Sequence, residues 1–66
     1  MTPSEAIAIL LAAGWTETQI GDASGSRQSV VNRIKHGKMT PNWETGAALV
    51  ELASRDDLTP PQAEAA

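Results

Sequence analysis

TETQIGDASGSRQSVVNRIKHGK, Thr16 to Lys38, decides the fold. Its first four residues have the spacing of a capping box, in which the Thr16 hydroxyl takes an amide of the first helical turn and the Gln19 side chain reaches back. A short helix over 17–24 follows, Gly25-Ser26 breaks the pattern, and Arg27 to His36 resumes it. Val31 and Ile34 stand three apart on the buried side of that second helix, and Gly37 stops it. Two short helices joined by a glycine-containing turn are the elements of a helix-turn-helix. Gly21, inside the first helix, costs roughly 1 kcal/mol relative to alanine. Close approach of the second helix would offset that cost.

The flanking segments are also helical, and no segment alternates apolar and polar residues with the period of a strand. Thr2 or Ser4 can cap a first helix over Pro3 to Ala13, with Ile7, Leu10 and Leu11 on one face and Gly14 at its end. After Lys38-Met39, Pro41 suits the first turn of a last helix capped by Thr40 and running to Ser54. At 100° per residue, Trp43, Gly46, Val50 and Ala53 form its core face. Leu52 falls on the opposite side, beside Thr45 and Ala48. Glu51 and Arg55 are spaced for a surface pair. The fold expected is therefore all-α, with a four- to five-helix domain over 1–55 and a flexible C-terminal tail over 56–66.

Composition narrows the functions open to such a chain. Sixty-six residues bury only about 60% of their unfolded surface, which leaves little room for an enclosed cleft. Cysteine is absent and His36 is the only histidine, so a metal site or a nucleophile–base pair cannot readily be assembled. No enzyme, metal or cofactor is expected. The longest apolar run, Ala6 to Ala13, has eight residues against the roughly 20 of a membrane span. With no cationic segment ahead of it, the chain reads as soluble and cytoplasmic, with no membrane partner.

Charge is unevenly distributed. Between Ser24 and Asn42 lie Arg27, Arg33, Lys35 and Lys38 with no acid, whereas the rest of the chain sets Arg55 against eight acids. A phosphate backbone meets a local face and not the net charge of −3. The side of the 27–36 helix away from Val31 and Ile34 carries Ser29, Asn32, Arg33 and His36, with Gln28 at its edge. Amides of Gln and Asn match an adenine edge, and arginine forks onto guanine.

Trp15-Thr16, Ile20-Gly21, Gly25, Gln28-Ser29, Val31, Ile34, Gly37-Lys38 and Pro41 together resemble the Cro/CI-type (XRE) helix-turn-helix family of phage and bacterial transcriptional repressors. The resemblance spans Ala6 to Ala53 and implies a lambda-repressor-like domain whose second helix lies in the major groove. It makes Gln28, Ser29, Asn32 and Arg33 the base-reading candidates, with Thr16, Arg27, Lys35, His36 and Lys38 toward the DNA backbone. Ser24 and Ser26 depart from the family's apolar residues, and Arg27 replaces its capping Ser/Thr, so Ser26 could cap instead and start the helix one residue early. Glu17 replaces a glutamine that often touches phosphate. A carboxylate there would be repelled, so Glu17 is left out of the contact set.

The function expected is a sequence-specific DNA-binding transcription regulator, a Cro-like repressor acting by occupancy of a pseudo-palindromic operator in double-stranded DNA. A single helix reads few base pairs, so a weak homodimer, dimeric on DNA, is expected through Ala48, Leu52 and Leu58. The alternative is a small protein-interaction module, an antitoxin or adaptor, whose basic helix meets an acidic partner.

Overall fold

The computed structural model describes residues 1–60 and is all-helical over that range. Its elements are α1 (Pro3–Ala12), α2 (Glu17–Ser24), α3 (Gln28–Lys35) and α4 (Trp43–Ala53). Thr2 caps α1 through a full capping box: its Oγ1 accepts from the Glu5 amide at 3.1 Å, and its own amide donates to Glu5 Oε1 at 2.8 Å. The Thr16–Gln19 box opens α2 in the same way, at 3.1 and 2.9 Å. Each box satisfies donors that a helix start otherwise leaves to solvent.

The core joins all four helices. Ala6, Ile7 and Leu10 from α1, Ile20 from α2, Val31 and Ile34 from α3, and Leu49, Leu52 and Ala53 from α4 are buried together with Trp15. Ser24, where an apolar residue would seal α2 to α3, is also buried, and its hydroxyl donates to the Gly21 carbonyl at 3.2 Å. The polar side chain therefore enters the interior already satisfied. Gly25 takes the left-handed conformation, φ 75°, that turns the chain between the two helices, while the Ser26 amide closes on the Gly21 carbonyl at 2.7 Å. Gly21 makes the joint possible. A Cβ built there would lie 2.9 Å from the Arg27 carbonyl carbon and 3.1 Å from the Gln28 nitrogen.

Several expectations are corrected. Helix α3 begins at Gln28, with Arg27 as an extended N-cap that makes no side-chain cap bond. Ser26 therefore does not start the helix early. Helix α4 is capped by Asn42, whose side chain accepts from the Thr45 amide at 2.8 Å, so Thr40 and Pro41 precede it. Its buried face is Gly46, Leu49, Leu52 and Ala53. Trp43, placed on the core face by the sequence reading, is 79% exposed, and Leu52, placed outside, is 4% exposed. Burying two leucines is worth about 1.5–3 kcal/mol each, and the helix turns to bury them. The tryptophan in its first turn is left over an open groove. Arg55 lies beyond the end of α4, and the Glu51–Arg55 pair does not form among the described residues.

The segment after α4 is tied down at one point. The Trp15 indole Nε1 donates to the Leu58 carbonyl at 2.8 Å, and Leu58 packs on the core. A Cβ built at Gly14 would lie 3.5 Å from the Pro60 ring. Within the expected tail, Leu58 is thus packed on the core while Asp56, Asp57 and Thr59 are exposed, and residues 61–66 lie outside the described residues.

Candidate nucleic-acid interface

Helix α3 rests on Val31 and Ile34, with Val30 partly buried against the core, and its polar positions form two stripes. Gln28, Asn32 and Lys35 follow an i, i+4, i+7 spacing and run along the edge that faces the start of α2. Ser29, Arg33 and His36 form the crest, and all three are exposed. Arg27 and Lys38 flank the helix at either end and are exposed too, as is Thr16, the α2 cap.

Glu17 decides what the first stripe does. As the first residue of α2 it sits at a helix N-terminus, where negative charge is favoured. Its Oε1 accepts from Gln28 Nε2 at 3.0 Å, and its Oε2 accepts from Lys35 Nζ at 3.0 Å and from Asn32 Nδ2 at 3.4 Å. The Glu17 side chain is only 17% exposed, against 35% for Lys35. The Gln28 hydrogen bond first, then that from Lys35, hold the Glu17 carboxyl below its ordinary pKa, with smaller help from Asn32 and from the Lys35 charge, against a desolvation that raises it. Lys35–Glu17 is the one ion pair among the described residues.

The expected base-reading set is therefore split. Gln28 and Asn32 are engaged within the protein, whereas the crest residues Ser29 and Arg33 carry no side-chain hydrogen bond or ion pair among the described residues, and neither do Arg27, His36 and Lys38. Lys35, assigned to phosphate, has its charge neutralised by a partner. Glu17, set aside as a repelled acid, is the hub of this side-chain network. The signal was present in the sequence as a ladder of donors one helix away from an acid, but their contact depends on the α2–α3 crossing.

The dimer surface expected from Ala48, Leu52 and Leu58 is not available as such. Leu52 is buried, Leu58 lies against its own core, and Ala48 is half-buried. Among the described residues the exposed large apolar side chains are instead Met1, Ile9, Met39 and Trp43, the last two lining a groove of ≈ 410 Å³ with Pro3, Pro41 and Gly46. No group of His, Cys, Asp or Glu side chains among the described residues could hold a metal ion. No described helix is long and apolar enough to cross a membrane. Comparison with family models, with curated proteins and with solved structures finds no match to this chain.

Proposed function

We propose that the chain is a sequence-specific DNA-binding regulator of the Cro/CI type, with α3 in the major groove and the bound protein blocking access to its site. The observation that carries this reading is the α3 crest: Ser29, Arg33 and His36 project from a helix buttressed by α1 and α2, with Arg27 and Lys38 at its ends and no acid among them. Arginine on such a crest can fork onto a guanine edge, and lysine at the helix end can hold phosphate. Occupancy alone suffices for regulation, so no catalytic group is required. Two copies on a pseudo-palindrome would extend the few base pairs that one helix reads. Selection from a random-sequence duplex pool tests the reading. An enriched motif bound at least about a thousandfold more tightly than random duplex supports it, and an unenriched pool refutes it.

One observation favours a second reading. Gln28, Asn32 and Lys35 already hold a carboxylate, which is the group that an acidic peptide would bring to a basic protein-interaction helix. An antitoxin or adaptor of this kind would bind its partner and leave the random pool unsorted.

A further inference from the structure

Building on the DNA-binding reading, we infer that Glu17 is a specificity-determining residue: its carboxylate occupies the donors of Gln28, Asn32 and Lys35 and gives them up only to a groove that offers all three better acceptors. The argument begins with what each kind of duplex can supply. Any duplex presents phosphates, which suit the Lys35 ammonium. Only a matching base edge presents each side-chain amide with a paired acceptor and donor, as the N7 and N6 amino group of adenine do. On a random duplex, releasing Glu17 would break three hydrogen bonds to recover one, and would leave a carboxylate close to phosphate. The network therefore stays closed there, and Lys35 makes no contact with the backbone. On a matching duplex the amides are drawn to the bases, and Lys35 is released to a phosphate.

Glu17 thus lowers affinity where the bases do not fit and lowers it less where they do. A carboxylate that merely repelled DNA would weaken both by the same factor. The difference is legible in salt dependence, because each phosphate contact contributes about 0.9 to the slope of log K against log salt for B-DNA. With the network closed, the wild-type protein on random duplex lacks the Lys35 contribution.

The experiment measures binding of wild type, Glu17→Gln and Glu17→Ala, each checked for folding by circular dichroism, to a selected duplex and to a random one across a salt series. Glu17→Gln should tighten random-duplex binding by roughly tenfold and steepen its salt slope by about 0.9, while the selected duplex gains less than about threefold with an unchanged slope. Glu17→Ala, which cannot replace the network, should give the same pattern. Lys35→Met should weaken binding to the selected duplex and flatten its salt slope by about 0.9, and in the Glu17→Gln background it should abolish the steepening seen on random duplex. Equal gains on both duplexes would reduce Glu17 to a repulsive charge, and no gain on either would mean that the network is not opened by binding at all; both results overturn the inference. Failure of every variant, wild type included, to bind any duplex at low salt would instead overturn the DNA-binding reading on which it rests.

Discussion

The Lys35 ammonium lies 3.0 Å from the Glu17 carboxylate, joining the last residue of α3 to the first of α2 across the face that the protein would present to DNA. Gln28 and Asn32 donate to the same carboxylate, so all three interactions favour its charged form. Its pKa is lowered in the folded chain. The stability this provides is complete above the pKa of the unfolded chain and is lost as the pH falls through the lower folded value. The loss is thus confined to the acid end of the carboxylate range, and the network is fully formed at neutral pH. A carboxyl titration followed by NMR should place the Glu17 midpoint below the ordinary glutamate value, and Gln28→Ala should raise it, since the Gln28 bond is the largest cause of the shift. A Glu17 midpoint at the ordinary glutamate value would show that the contacts are not maintained in solution.

Gly21→Ala tests the helix joint. Alanine gains about 1 kcal/mol of helix propensity over glycine, but its methyl would meet rigid backbone at Arg27 and Gln28 at 2.9 to 3.2 Å. Overpacking of this kind costs about 1–3 kcal/mol, and here the obstructing atoms are not the ends of flexible side chains. We expect a net loss of stability in urea denaturation, together with altered chemical shifts in α3. A stabilised variant would contradict the close approach.

Leu52 and Trp43 should exchange the roles that periodicity suggests. Leu52→Ala should cost about 2–5 kcal/mol as a large-to-small change in the core, which a domain this small can scarcely tolerate. Trp43→Ala, at a position 79% exposed, should change stability by no more than about 0.5 kcal/mol. Thermal unfolding of the two variants checks the assignment. A mild Leu52→Ala and a severe Trp43→Ala would restore the face expected from the sequence.

The legible part of the fold was the local part. The Thr16–Gln19 box, the Gly25 turn and the Val31–Ile34 pair carry short-range chemistry, and each lies where its residues imply. The face of α4 was not legible, because its rotation is set by which side chains α1 and the rest of the core can accommodate, and the 100° spacing alone fits a face centred on Gly46 and Val50 as well as the observed one through Leu49 and Leu52. The site was half legible for a similar reason. Residue chemistry singles out Gln28, Asn32 and Lys35, but their capture by Glu17 depends on how closely α2 and α3 approach, which Gly21 and Arg27 settle in three dimensions.

Lys38 and Gln28 should separate positioning from reading. Lys38→Ala removes an exposed cation that has no internal partner among the described residues. It should weaken binding to selected and random duplexes alike and flatten both salt slopes by about 0.9. Gln28→Ala should cost about 1–3 kcal/mol on the selected site and far less on random DNA. Equal losses on both duplexes for Gln28→Ala would confine that residue to orienting the protein.

The most direct measurement for the central claim is the affinity of the wild-type chain for a duplex enriched from a random pool, compared with a scrambled duplex of the same length and base content at the same salt concentration. Groove reading by α3 predicts a preference of at least about a thousandfold, most of it lost in Arg33→Ala. Equal affinity for the two duplexes, or a preference that Arg33→Ala leaves intact, would contradict it.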